Sequence, residues 1–122
     1  MPYLLLMIEP VGQRKERTEV EGCAVYDCMV CFGDELNARG MLLASQSLKS
    51  QDEAARVTLR GGRAQVLDGP FAEAKEMVGG FFLVDCKSFD EAVELAKRCP
   101  AAEWCTVEVR AMAPCYEEST AG

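Results

Sequence analysis

The 122-residue chain contains no histidine. That absence removes His-activated nucleophiles, imidazole proton shuttles and every metal site that needs an imidazole ligand. No apolar run approaches the roughly 20 residues needed to cross a bilayer, so no membrane partner is expected. Positive charge is short as well, with 13 Lys and Arg against 20 Asp and Glu and a net charge of -7. The longest basic stretch, Gln13-Arg14-Lys15-Glu16-Arg17, is broken by Glu16 and reads as a solvated loop, and nucleic acid is not an expected partner either.

What the chain does have in quantity is cysteine: Cys23, Cys28, Cys31, Cys86, Cys99, Cys105 and Cys115, an odd number that cannot pair completely within one chain. The opening, Met1-Pro2-Tyr3-Leu4-Leu5-Leu6-Met7-Ile8, has no basic lead-in and soon meets Glu9, so no secretory leader is expected. The expected setting is cytoplasmic and reducing, with the thiols acting as small buried or half-buried hydrophobes. Cys23, Cys28 and Cys31 have the C-x4-C-x2-C spacing of a plant-type [2Fe-2S] loop. They fall, however, in a segment that reads as helix, where Cys23 lies about 140° round the axis from Cys28. Neither an iron-sulfur cluster, a zinc site nor any other cofactor is therefore expected.

Tyr3 to Ile8 read as a first strand buried on both faces. Thr18-Glu19-Val20-Glu21 is a capping box that predicts a helix ending at Arg39-Gly40, with Val25, Cys28, Met29, Phe32 and Leu36 as its buried stripe. Met41 to Ala44 restart as a strand. Ala55, Val57 and Leu59 alternate with polar residues, and Gly61-Gly62 then joins them to a second short run, Arg63 to Leu67, which predicts a hairpin. Val78 to Asp85 read as another central strand. Ser88-Phe89-Asp90-Glu91 opens a second helix with Phe89, Ala92, Val93 and Ala96 inward, ending before Pro100. Cys105 to Arg110 form the last strand. Residues 1–112 are read as one domain and 113–122 as a loose tail. The order of strand, helix, strand, hairpin, strand, helix, strand predicts an α+β fold, a ferredoxin-like α/β sandwich with an inserted β-hairpin. Its two helices cover one sheet face. Tyr3, Leu5 and Phe82 exceed what they cover, which predicts a homodimer packed sheet to sheet.

Asp68-Gly69-Pro70-Phe71-Ala72-Glu73-Ala74-Lys75-Glu76 places four ionisable groups within nine residues on one inter-strand loop. In a functional reading Asp68 is a general base or hydrogen-bond acceptor on a pocket rim and Lys75 binds an anionic group, with Glu73 and Glu76 beside them. In a structural reading Asp68 caps a turn, Phe71 is core, and Glu73, Lys75 and Glu76 form a solvated face; spacing alone favours this second reading.

That segment, followed by Gly79-Gly80-Phe81, resembles the signature of the DGPF-domain, YCII-related family of small bacterial proteins. Tyr3 to Leu6, the join from Glu35-Leu36 to Gly40-Met41-Leu42, Cys99-Pro100 and Val107 to Arg110 match as well, so the resemblance spans residues 3 to 110. It implies a dimeric α/β-barrel type of fold with a cleft in each subunit and the DGPF aspartate, here Asp68, lining the active site. The His-Asp pair associated with YCII-like relatives has no histidine to supply it here. One branch of the family is similar to lyases acting on oxidised aromatic rings.

Two functions stand side by side. In one, a dimer binds a small polar or aromatic metabolite and performs proton transfer or elimination, with Asp68 as catalytic base and Lys75 or Arg110 steadying a developing oxyanion. In the other, the dimer is a non-catalytic ligand-binding or interaction module whose DGPF loop is structural.

Overall fold

The computed structural model describes residues 1–122. β1 (Pro2–Pro10), α1 (Glu19–Ala38), β2 (Leu42–Ser47), β3 (Ala55–Arg60), β4 (Arg63–Asp68), β5 (Glu76–Asp85), α2 (Phe89–Arg98) and β6 (Thr106–Ala111) follow in the predicted order. The result is a mixed α/β fold of two helices and antiparallel sheets. Four strands pair in the order β2-β5-β1-β6, every neighbouring pair antiparallel.

Local chemistry sets the ends of these elements. The Thr18 side chain accepts from the Glu21 amide at 3.1 Å, and the Thr18 amide donates to the Glu21 carboxylate at 2.9 Å, which starts α1 where the sequence predicts. Gly40, at φ +69, lets the chain leave the helix. Ser88 caps α2 in one direction only, because the Glu91 carboxylate accepts from the Lys87 amide instead.

Two-residue alternation along β1 turns Tyr3, Leu5 and Met7 toward the helices, where they join Phe32, Leu36, Phe82, Val84, Ala92 and Leu95 in one core. Tyr3, Leu5 and Phe82, expected on the uncovered face, are therefore core residues. The uncovered face belongs to the other set, Leu4, Leu6, Phe81 and Leu83, each half-buried and paired across β1 and β5. The first strand is thus buried on one face and open on the other.

Both helical stripes differ from expectation. In α1 the buried residues are Phe32, Gly33 and Leu36, all in its second half, while Cys28 is exposed. Gly33 gains its place because any side chain there would press on the Phe82 ring. In α2 Leu95 is buried beside Ala92 and Ala96, while Val93 is only partly buried and Phe89 lies half-exposed at the edge with its ring 6.2 Å from that of Tyr3. Of the thiols only Cys86 and Cys99 are buried and Cys105 is partly so, whereas Cys23, Cys28, Cys31 and Cys115 are exposed. The apolar-thiol reading therefore fails for four of the seven, because α1 packs through only one stripe and Cys115 lies in the exposed C-terminal tail.

β3 and β4 form a hairpin whose turn uses Gly61 and Gly62 at φ +56 and +77. It is a separate two-stranded sheet with every residue exposed. Beyond Ala111 the chain carries one short 3-10 turn, Cys115–Glu118, and is exposed throughout. No helix is long and apolar enough to cross a membrane.

Candidate functional site

The row Tyr3, Leu5, Met7 continues by the same alternation to Glu9, which brings a carboxylate to the end of the core face with its side chain only 13% exposed. A charge placed there needs a partner. Arg14, from the 3-10 turn Gln13–Glu16, supplies it: Nε donates to Glu9 Oε1 at 2.6 Å, while Nη1 and Nη2 donate to the carbonyls of Leu48 at 2.7 Å and Gly79 at 3.2 Å. Residue 79 must be glycine for this arrangement, since a Cβ there would fall on the Glu9 carboxylate and the Arg14 guanidinium. Glu9 Oε2 accepts no hydrogen bond from the protein.

Above this pair the first half of α1 stands away from the sheet and leaves a cleft of about 460 Å³. Met29 and Val25 from α1 face Met7, Phe82 and Leu42 from the sheet, and Ala101, Trp104 and Cys105 close the end nearest Glu9. Ser45, Gln46 and Ser47 line the β2 side, and Gly22, Gly33, Gly79 and Gly80 add no side chain to the walls. A cavity of this size with apolar walls and a few polar groups suits a small organic molecule.

The closed end is built from residues distant in sequence. Gln13 Nε2 donates to the Trp104 carbonyl at 2.6 Å and so fixes the loop after the 3-10 turn Pro100–Glu103. The Arg17 guanidinium lies 5.9 Å from the Trp104 ring centre, within reach of a cation-π contact, and forms no ion pair. Burial pushes the Cys105 thiol up to about 11, the charges of Glu9 and Cys99 add to the rise, and Arg17 opposes it. Cys105 is accordingly a neutral wall of the cleft at ordinary pH, not a thiolate nucleophile.

None of Asp68, Glu73, Lys75, Glu76 and Arg110 lines this cleft. Asp68, Glu73, Lys75 and Glu76 are all exposed along the segment from the end of β4 to the start of β5. Arg110 is on β6, ion-paired with Glu108 at 3.3 Å. The structure keeps the loop residues together but does not bring Arg110 to them. Within the DGPF segment the neighbours of Asp68 are the packed residues. Gly69 donates its amide to the Ala54 carbonyl at 2.8 Å, and a Cβ on it would collide with the Gln51 carbonyl. Phe71 is buried with the Arg56 guanidinium 3.8 Å from its ring centre.

Sequence reasoning missed Glu9, Arg14, Arg17 and Trp104. The signal for Glu9 was present, as the fourth member of a strict alternation; the broken basic stretch holding Arg14 and Arg17 gave none.

A family model described as the YCII-related domain matches residues 1–115. An uncharacterized protein of Rhizobium meliloti (strain 1021) is 53% identical over 45 residues, 35% of this chain and 36% of that protein, so the match spans about a third of the relative's length. Among solved structures, 5-chloro-2-hydroxyhydroquinone dehydrochlorinase (TftG) from Burkholderia phenoliruptrix, in complex with 2,5-dihydroxybenzoquinone, is similar in fold. The TM-score is 0.54 at 16% identity, over 93% of this chain and 94% of that one.

Proposed function

The chain belongs to the YCII-related family, and from that membership and the cleft under α1 we propose a dimeric enzyme that binds a small aromatic or polar metabolite and acts on it by proton transfer or elimination. The observation that carries this reading is Glu9, a carboxylate held at one oxygen by Arg14 and free at the other, on the wall of a cleft sized for a small molecule. Such a group serves as a general base. Its Oε2 takes a proton from a carbon of the ligand, the C–H electron pair forms the new double bond, and the leaving group departs with its own bonding pair. The similar fold of an enzyme whose name states a dehydrochlorination supports this reaction class.

The finer architecture in this proposal is ferredoxin-like and of the dimeric α/β-barrel type. In the order β2-β5-β1-β6, β1 and β2 are parallel with β5 between them, and β5 and β6 are parallel with β1 between them, which supports two interleaved βαβ units. The open row Leu4, Leu6, Phe81 and Leu83 supports pairing sheet to sheet with a second copy. Asp68 remains in the proposal as a second carboxylate, borne on the hairpin, with Glu73, Lys75, Glu76 and Arg110 outside the cleft proper.

Native mass spectrometry of the freshly purified, reduced protein tests the binding step. A dimer with a stoichiometric small organic adduct is expected, and a bare monomer would remove the reading. The base is tested by deuterium uptake into the identified ligand in heavy water. Glu9→Gln should slow it by about 100-fold or more while Asp68→Asn leaves it near wild type. The opposite pattern returns the chemistry to Asp68.

A second reading, a non-catalytic ligand-binding or interaction module, is favoured by one observation. Gly69 against Gln51 and Phe71 beneath Arg56 make the DGPF segment a clasp at the base of the hairpin, work that needs no reaction.

A further inference from the structure

We infer that the cleft selects a flat aromatic anion, of benzoate or phenolate chemistry, whose acid group is taken by Arg17 beside Trp104. This rests on the reading of the cleft as a small-molecule site and adds its ligand class.

The charge at the closed end carries the argument. Glu9, Arg14 and Arg17 meet there, one carboxylate against two guanidiniums. Arg14 is spent, with all three of its nitrogens donating to Glu9, Leu48 and Gly79. Arg17 lines the same cleft, half-buried, with no carboxylate bound to it. Cys105 remains a neutral thiol and adds no negative charge. Asp34, the other acid on the cleft wall, lies twelve residues along α1 from Gly22, about 18 Å at the rise of an α-helix. Glu21, at the start of α1, feels the Arg17 charge but pairs with Thr18 and stands outside the cleft lining, so Arg17 is the cation at the closed end left to take an anion. An arginine fork matches a carboxylate in shape, and it binds more strongly where water is partly excluded. The adjoining walls, Met7, Val25, Met29, Phe82 and the Trp104 ring, offer apolar and polarizable surface to a planar ring.

Trp104 is the single tryptophan of the chain, so its fluorescence reports on this end of the cleft alone. The experiment titrates the intact protein with benzoate, its neutral isostere benzamide and the non-planar cyclohexanecarboxylate. Benzoate should perturb Trp104 saturably and bind at least tenfold more tightly than either analogue. Arg17→Gln should bring benzoate down to the benzamide level, and Arg17→Lys should recover part of the difference, with the far-ultraviolet circular dichroism of both variants unchanged. Equal binding of benzamide, or an Arg17→Gln protein that binds benzoate as wild type does, overturns the charge selection and leaves the small-molecule cleft standing. Equal binding of cyclohexanecarboxylate overturns the requirement for a flat ring. If no probe perturbs Trp104 fluorescence or the Met7 and Met29 methyl resonances, both this inference and the cleft reading fall.

Discussion

Arg14 ties Glu9 to the sheet: its Nε holds Glu9 Oε1 at 2.6 Å while its two terminal nitrogens reach the Leu48 and Gly79 carbonyls. One side chain thereby joins the end of β1, the start of β5 and the segment after β2. Arg14→Ala leaves a mostly buried carboxylate and two carbonyls without their donor. Urea denaturation should show a loss of about 2–4 kcal/mol, and Glu9→Gln, which keeps an acceptor, a smaller one.

The DGPF segment separates packing from chemistry one residue apart. Gly69→Ala drives a methyl into the Gln51 carbonyl and should cost on the order of 1–3 kcal/mol. Asp68→Ala removes an exposed side chain with no hydrogen-bond partner and should change stability by less than about 0.5 kcal/mol. A large loss from Asp68→Ala in the same denaturation assay would contradict the observed exposure.

Thiol alkylation followed by mass spectrometry should divide the seven cysteines into four fast sites, Cys23, Cys28, Cys31 and Cys115, and three slow ones, Cys86, Cys99 and Cys105. Burial raises all three slow thiols above their ordinary value of 9.0, Cys105 to about 11. Between those two values the unfolded chain has released the Cys105 proton and the folded one has kept it. Stability should therefore fall as pH rises from 9 toward 11. A Cys105→Ser protein, compared with wild type over that range, should show a shallower decline.

The open sheet face predicts its own test. Leu6 and Leu83 lie on it, and Leu6→Glu or Leu83→Glu places a charge where the proposed second copy would pack. Sedimentation should find a dimer in the wild type and a monomer in either variant, with helix content retained. A variant that sediments as wild type moves the contact to another surface.

Much of this fold was legible because its signals are local. Thr18 and Glu21, Gly61 and Gly62, and Gly40 each act within a few residues, and the elements they bound appear where expected. The cleft was not legible for the converse reason. The partners of Arg14 on Leu48 and Gly79 stand 34 and 65 residues away, and Gln13 meets Trp104 across 91. No short pattern encodes such meetings. Glu9 is a different kind of omission, since reading β1 as buried on both faces hid the alternation that marks it. Cys28 and Phe89 went astray because each lies at the margin of its helix stripe, where spacing alone does not separate a buried side chain from an exposed one.

Only Phe32, Gly33 and Leu36 are buried in α1, all toward its second half, so the helix is a cantilever whose free arm roofs the cleft. The height of the cleft is therefore set at the fixed end, where Gly33 lets the helix approach the Phe82 ring.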